Sequence, residues 1–173
     1  MLLKRVFIGF LSFHSVDTPM LKECENHADT ISGCVVRDYH SNGNGKIYWE
    51  TPFKNGGREG IEKWYYESGE LKTEIPYKND KREGIAKEYY ENGGLQAEIP
   101  FKNHNIDGDM KLYTEDGKLL ALLKIENYEF ISGKCFNDKV LIDKELKEFR
   151  RIGDTEERII YLKETCLKES DSK

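Results

Sequence analysis

The sequence has no long apolar run and no block of basic residues, and each absence excludes a class of function. No stretch of the 173 residues is apolar over the roughly 20 residues that a transmembrane helix needs. The 27 basic and 32 acidic residues are interspersed and leave a formal net charge of -5. Such a balance lacks the basic surface that binds nucleic acid or an anionic membrane. We therefore expect no transmembrane segment and no nucleic-acid partner, and lipid contact is disfavoured.

The groups that catalysis requires are also scarce. The four histidines do not fall at equivalent positions of the 24-residue repeat described below: His14, His27, His40 and His104. The glycines mark turns and form no phosphate-binding loop. Without a nucleophile, base or phosphate site, we predict that the chain is not an enzyme and needs no cofactor.

Cysteine is sparse but even in number, which is typical of paired disulfides in an oxidising compartment. Cys24 and Cys34 flank a short polar segment that can close as a loop, and Cys135 and Cys166 are the candidates for a second pair. A zinc site is the alternative for the first pair, with His27 and His40 as the further ligands. The spacing matches no zinc finger or ribbon, so we predict no metal site.

The N-terminus resembles a secretory signal. The basic start of residues 1–5 is followed by a short apolar stretch over 6–13. Residues 14–19 offer no clear cleavage site, so the alternative is an ordinary or disordered apolar segment. Together with the cysteines, this segment favours an extracytoplasmic location in the periplasm or cell envelope, with the cytoplasm as the alternative.

The most informative feature that is present is a repeat of 24 residues. Glu59–Ile61 recurs as Glu83–Ile85 and again, altered, as Asp107–Asp109. A fixed period in this range indicates a repeat array, in which each unit buries its apolar face by stacking on its neighbours. Arrays of this kind are typically binding surfaces, which further disfavours an enzyme.

Each repeat predicts a β-hairpin. Residues 47–53, 71–77 and 95–101 alternate between apolar and polar side chains, as strands with one buried face do. Glycine-containing turns at 67–70 and 91–94 separate the strands. We therefore predict an all-β fold, a tandem antiparallel β-hairpin array that forms a single twisted extended sheet.

The tail is predicted to cap this array. Residues 143–152 have helical spacing, with Asp143 as the N-cap and Leu146 and Phe149 on one side. Residues 119–123 are apolar at successive positions, so we expect the tail to cover both faces of that strand. Residues 164–173 are polar and are expected to fray, apart from the region that anchors Cys166.

These features divide the chain into four segments. A signal-like or disordered N-terminus covers 1–22, a cysteine-containing loop 23–34, the repeats 35–130, and a degenerate repeat with the helical cap and polar tail 131–173.

Equivalent side chains of successive repeats should form columns about 9.5 Å apart on the sheet. Two such columns are candidates for contact with a partner: Lys63, Lys87 and Lys111, and Tyr65, Tyr89 and Tyr113. The alternative is aromatic packing with lysine stems lying over the rings, and the sequence favours it. A third column, Glu50, Glu74 and Glu98, is explained as a solvated face paired with Lys72 or Gln96.

The unit Gly-Ile-Xaa-Lys-Xaa-Tyr-Tyr-Glu-Asn-Gly-Xaa-Leu, followed by Glu-Ile-Pro-Phe-Lys-Asn, resembles the bacterial variant of the MORN (membrane occupation and recognition nexus) repeat. Residues 35–130 carry the resemblance, most strongly 59–106. It implies one extended sheet of antiparallel hairpins. Many bacterial relatives are labelled antitoxin or immunity proteins, and eukaryotic MORN proteins serve as protein-interaction scaffolds. The fourth unit departs at Asp109, Thr114 and Ile125, which indicates different packing or a different partner there.

We therefore expect a non-catalytic repeat module that binds another protein through a sheet face, with an antitoxin- or immunity-like role implied by the resemblance. The alternative is a structural or surface-associated repeat protein of the cell envelope, in which the array acts as a spacer. The sequence does not name the partner.

Overall fold

The computed structural model describes residues 21–167 and folds them into one open antiparallel sheet with three helices. The strands are β1 Cys34–Tyr39, β2 Ile47–Lys54, β3 Gly57–Arg58, β4 Gly60–Tyr65, β5 Leu71–Lys78, β6 Lys81–Arg82, β7 Gly84–Tyr89, β8 Leu95–Lys102, β9 Asn105–Ile106, β10 Gly108–Tyr113, β11 Leu119–Glu126 and β12 Glu129–Cys135. The helices are α1 His27–Ser32, α2 Asp143–Arg151 and α3 Thr155–Leu167. The predicted signal-like segment lies outside the described residues, apart from its last two.

The strands follow one another through the sheet in chain order, β1-β2-β4-β5-β7-β8-β10-β11-β12. The two-residue strands β3, β6 and β9 fold back on β2, β5 and β8, respectively. Their turns use Asn55-Gly56, Asn79-Asp80 and Asn103-His104, in which both residues have positive φ, as two-residue hairpin turns require. The predicted single sheet of tandem hairpins is confirmed.

Each longer hairpin contains a bulge that breaks the predicted alternation. Trp64 is opposite Thr73 and Tyr65 is opposite Leu71, so Lys72 is an extra residue in β5. The Lys72 ammonium lies 5.2 Å from the centre of the Tyr66 ring. Strict alternation over the whole of 71–77 was therefore wrong, because the bulge turns Lys72 toward the face that carries Thr73.

The two faces of the sheet differ in what covers them. On the face that carries Ala97, Leu112 and Leu123, here called the helix face, α2 and α3 pack over the C-terminal strands. Leu112, Leu123 and Phe149 are fully buried in this core, and burying such a side chain stabilises the fold by roughly 1.5–3 kcal/mol. The opposite face, which carries Lys63 and Lys87, is here called the charged face.

Successive repeats are also joined by a hydrogen bond that recurs. The Tyr66 hydroxyl donates to the Tyr89 carbonyl at 2.7 Å, and the Tyr90 hydroxyl donates to the Tyr113 carbonyl at the same distance. At the next equivalent position stands Thr114, which is too short to reach the following repeat and donates to the Lys118 carbonyl in its own turn. The inter-repeat bond therefore ends at the fourth repeat.

The tail differs from the prediction in three ways. The expected helix at 143–152 is present as α2, but Ile142, not Asp143, is its N-cap, and the Ile142 N–H donates to Glu145. The second helix, α3, was not predicted, and its residue Thr165 is buried where fraying was expected. The tail covers only one face of β11.

The structure also contains two disulfides. Cys24 is bonded to Cys34 with their Cα atoms 5.2 Å apart, and helix α1 lies between them in the segment that was predicted as loop. Cys135 is bonded to Cys166 with their Cα atoms 5.7 Å apart, which ties α3 to β12.

Candidate functional site

A row of alternating charges crosses the charged face. Its members lie opposite one another on adjacent strands and follow in this order: Arg37, Glu50, Lys63, Glu74, Lys87, Glu98, Lys111, Leu122 and Lys134. Opposite charges directly across a strand pair stabilise a sheet, and like charges destabilise it. The register of the strands therefore favours an acidic side chain opposite each basic one along this row. The alternation stops at Leu122.

The charges in this row differ in how fully they are paired. Arg37 Nε lies 3.1 Å from Glu50 Oε2, and Lys111 Nζ lies 2.9 Å from Glu98 Oε2. The hydrogen bond from Lys111 lowers the pKa of Glu98. Within the described part of the chain, Lys63 and Lys87 form no ion pair at comparable distance. Of the predicted lysine column, these two ammonium groups are thus available to an external carboxylate.

The predicted tyrosine column is bonded to the carboxylates of the row. The Tyr65 hydroxyl donates to Glu50 at 2.8 Å, the Tyr89 hydroxyl to Glu74 at 2.9 Å, and Tyr113 repeats the contact with Glu98 at 2.9 Å. Burial, and then the hydrogen bond to Glu74, raise the pKa of Tyr89 to about 12. The phenols are therefore neutral donors that are already engaged within the sheet.

These contacts correct the expected pairing of the carboxylate column. Glu74 and Glu98 accept hydrogen bonds from tyrosines on their own face. Lys72 and Gln96 occupy equivalent bulge positions and lie toward the helix face. The sequence pattern missed this because a period of two places residues 72 and 74 on the same side, whereas the bulge separates them.

A second row on the charged face is apolar. It runs through Ile61, Pro76, Ile85 and Pro100, which are paired across the hairpins. Ile85 is 53% exposed, and a cavity of about 500 Å³ lies beside Ile61. In the next hairpin, the equivalent pair is Asp109 and Lys124, so the apolar row ends there.

The charged face is also apolar at the C-terminal end of the row. Leu122 lies between Lys111 and Lys134 and is 36% exposed, and Leu119 is exposed beside it. The prediction that the tail covers both faces of this strand was therefore wrong. Helices α2 and α3 have their buried side chains in a core with Leu120, Ala121 and Leu123 on the opposite side.

The N-terminal half of the helix face carries an aromatic cluster. The Tyr48 and Trp64 rings are in edge-to-face contact at 5.2 Å, and the Trp49 ring lies 6.0 Å from that of Trp64. Beneath them the buried Glu62 accepts from Trp64 Nε1 at 3.0 Å and from the Thr51 hydroxyl at 2.8 Å. The indole nitrogen is thus satisfied, and the rings present apolar surface.

Sequence reasoning did not single out this cluster. The signal was available, because the only two tryptophans of the chain lie at Trp49 and Trp64. Their contact depends on β2 pairing with β4 in a register that places the two residues directly opposite each other. The pattern within one repeat does not give that register.

A cleft of about 200 Å³ adjoins this half of the face, where the N-terminus of α3 meets the sheet. Tyr66, Glu88 and Gln96 line it from the strands, and Asp154 and Glu156 line it from the helix end. Gln96 is only 4% exposed, and its Nε2 has no hydrogen-bond partner among the described residues. A buried amide without a partner is costly, which marks this cleft as unusual.

The zinc site that the sequence offered as an alternative is not formed by its cysteines. Cys24 and Cys34 are bonded to each other, so their sulfurs are not thiolate ligands for zinc with His27 and His40. Over residues 21–167, no group of three metal-binding side chains comes together. No helix in that range is long and apolar enough to cross a membrane.

Comparisons with known proteins identify the repeat type. Among solved structures, the chain is similar to a chain of the "Glycosylation Associate Protein (Gap123) complex from Streptococcus agalactiae", at 14% identity and a TM-score of 0.41. That alignment covers 90% of this chain and 27% of the other. No curated protein matches. Residues 58–79 and 82–103 match the family model described as MORN repeat variant. These ranges hold the β4–β5 and β7–β8 hairpins, so the two hairpins at the centre of the sheet are similar to the MORN repeat variant.

Proposed function

We propose that this chain is a non-catalytic repeat module that binds another protein through a face of its sheet. The observation that carries the proposal is the charged face, in which equivalent side chains recur from β2 to β10 with α2 and α3 packed on the opposite side. A surface of this kind offers many similar contacts at a regular spacing, as repeat proteins do for extended partners.

Within this face, the lysine and tyrosine columns have different roles. Lys63 and Lys87 carry the unpaired charges, and the apolar row at Ile61 and Ile85 lies beside them. Together they suit a partner that presents acidic side chains next to apolar ones. Tyr65, Tyr89 and Tyr113 support the surface through their bonds to the carboxylates, and their ring faces add contact area. Lys111 has the same place in the column but is already bound to Glu98.

The finer proposal is an antitoxin- or immunity-like role in a bacterium, in which the partner is a toxin. Its support is the labelling of MORN-variant relatives, together with the absence of any recognised catalytic grouping in the sequence. Acidic and apolar contacts on the toxin would be covered by the charged face, which would block the toxin by occupancy.

The second candidate is a structural or surface-associated repeat protein of the cell envelope. The two disulfides favour it, because disulfides persist in oxidising compartments such as the periplasm. Mass spectrometry without reduction, on protein from its native compartment, tests the location. Free, alkylatable thiols at Cys24 and Cys34 would contradict secretion, and a toxin gene beside this one would favour the antitoxin role.

Affinity purification from the native cell tests the binding role. The bait is the folded chain, and its variant carries Lys63→Glu and Lys87→Glu on the charged face. The matched control carries Lys144→Glu and Lys147→Glu on exposed positions of α2. We expect one partner that is lost with the first pair and retained with the second. Equal recovery with both pairs would contradict binding through the charged face.

A further inference from the structure

The helix face is covered at one end only. The helices α2 and α3 pack mainly on β12 and β11, and α1 lies against β1 and β2. On β2 and β4, which α2 and α3 leave uncovered, Tyr48 remains 41% exposed, and Trp49 and Trp64 are partly exposed. Tryptophan and tyrosine with satisfied polar atoms and accessible rings are the residues that most often dominate protein interfaces.

The charged groups around these rings are mostly acidic. Asp38 lies opposite Trp49 and is exposed, and Glu88 lies opposite Thr73. At the far end, the first turn of α3 brings Asp154 and Glu156 to the cleft.

Three other titratable groups border the same surface, and one of them is Arg158 of α3, which lies over the Phe149 ring near Glu88 and Asp154. The Lys72 ammonium is held over the Tyr66 ring, and His40 lies 5.0 Å from the Tyr48 ring. At neutral pH, four carboxylates thus face Lys72 and Arg158, so the balance of charge stays negative and the surface attracts positive charge.

The cleft adds a specific polar contact. Gln96 Nε2 is buried and lacks an acceptor, and the cleft that it lines opens beside Tyr66. The Asp154 carboxylate already caps α3 by accepting from the Glu156 and Glu157 N–H groups at 2.9 and 3.1 Å. The helix end is therefore neutralised, and an anion would meet Glu88 and Glu156. A peptide carbonyl is a neutral acceptor that avoids this repulsion.

We propose that the uncovered half of the helix face, with the Gln96 cleft at its edge, binds a basic peptide segment of a partner protein. Arginine or lysine side chains of the segment lie over the Tyr48 and Trp64 rings and pair with Asp38 and Glu88. A backbone carbonyl of the segment accepts the hydrogen bond from Gln96 Nε2. This surface lies on the opposite side of the sheet from Lys63 and Lys87, so it does not depend on the charged face being used.

The test uses a displayed library of random peptides, selected on the disulfide-bonded chain. We expect the selected peptides to be basic and their binding to weaken with added salt. The two tryptophans give a local signal, because both indole N–H resonances come from this surface. Both should shift when a synthetic copy of a selected peptide is titrated.

Small substitutions then locate the site without disturbing the fold. Glu88→Gln and Asp38→Asn remove charge only, and Gln96→Met removes the donor at similar size. Each should weaken the selected peptide, and Tyr48→Ala, which removes an exposed ring, should weaken it by about tenfold or more, as expected for a residue that dominates an interface. Lys63→Ala with Lys87→Ala is the matched control and should leave affinity unchanged.

Three outcomes would overturn the inference: selection of neutral or acidic peptides, failure to select any peptide, or peptide binding that is weakened only by the substitutions at Lys63 and Lys87. Each outcome can be distinguished from failure of the proposed function. A partner captured through the charged face, without a basic peptide on the helix face, would leave that function intact and remove this second surface.

Discussion

The Tyr89 hydroxyl donates to Glu74 Oε2 at 2.9 Å and thereby joins two consecutive hairpins. Tyr89 lies on β7 and Glu74 on β5, which pair through only two opposed residue positions. Each hairpin itself pairs over six positions, as between β7 and β8. Side-chain contacts must therefore supply much of the cohesion between repeats. The same bond recurs as Tyr65 with Glu50.

The substitution Tyr89→Phe should destabilise the fold by about 1.5 kcal/mol, because a partly buried carboxylate loses a donor. Tyr89→Ala should cost roughly 2–4 kcal/mol, since it also leaves a cavity between hairpins. Urea unfolding measures both. Tyr48→Phe is the control, because the Tyr48 ring is on the exposed aromatic cluster. An unchanged midpoint for Tyr89→Ala would mean that the tyrosine column is exposed and available for binding.

The same contact predicts how stability depends on alkaline pH. Burial and Glu74 raise the pKa of Tyr89 to about 12, whereas an unfolded tyrosine titrates near about 10. The folded state keeps its proton after the unfolded state has lost it. The contribution is therefore complete below the unfolded pKa and is lost as the pH rises through the folded one. Urea midpoints measured across this range should fall less steeply for Tyr89→Phe. Parallel curves for the two proteins would contradict the assignment.

The hairpins were predictable from the sequence because their signals are local. Turn glycines, alternation and the period of 24 residues fix strand and turn within each unit. The bulge at Lys72 was not predictable, because it adds a residue without interrupting the apolar pattern. That one residue decides which face carries Lys72, and so it decides the partners of Glu74.

Helix α3 was missed for a different reason. Ile159, Leu162 and Cys166 have helical spacing and are buried, but Ile160 is exposed, which weakens the amphipathic pattern. Its position on the helix face depends on the disulfide to Cys135 and on contact with the apolar side chains of β11, which it buries. Such long-range contacts leave little trace in a single sequence.

The charge row predicts a stabilising substitution. Leu122 lies between Lys111 and Lys134, at the position where a row of alternating charges would have a carboxylate. Leu122→Glu should stabilise the fold by about 0.5 kcal/mol at low salt, and less at high salt. The matched substitution Leu122→Lys should destabilise it, because three like charges would then be adjacent. Chemical denaturation at two salt concentrations distinguishes them. Equal effects of the two would show that the row carries no electrostatic coupling here.

The glycine that opens each repeat predicts a local intolerance to larger residues. Gly84 has φ +114°, and a Cβ there would lie 3.2 Å from Pro76 Cγ. Gly84→Ala should therefore cost about 1–3 kcal/mol through backbone strain, before any shift of the proline ring. Gly153→Ala is the control, since nothing lies within 4 Å of its added Cβ. Thermal unfolding should separate the two variants clearly, and similar midpoints would contradict the strain.

The two disulfides predict unequal losses of stability. Cys24–Cys34 closes a separation of 10 residues and Cys135–Cys166 one of 31. In the chain-entropy account, a longer closed loop restricts the unfolded chain more, so the second bond should contribute roughly 3.5 kcal/mol and the first roughly 2.5. Alanine pairs at each bond, unfolded in urea under oxidising conditions, measure the difference.

Hydrogen exchange shows where each loss falls. Without Cys135–Cys166, the amides of α3 should exchange faster, because that bond ties α3 to β12. The Cys24–Cys34 alanine pair should leave α3 unchanged and loosen the segment around α1. If instead the short loop carries the larger loss, then native contacts of α1 with β2, and not restriction of the unfolded chain, dominate the effect. That result would also mean that the N-terminal end of the sheet depends on oxidation more than the helix-covered end does.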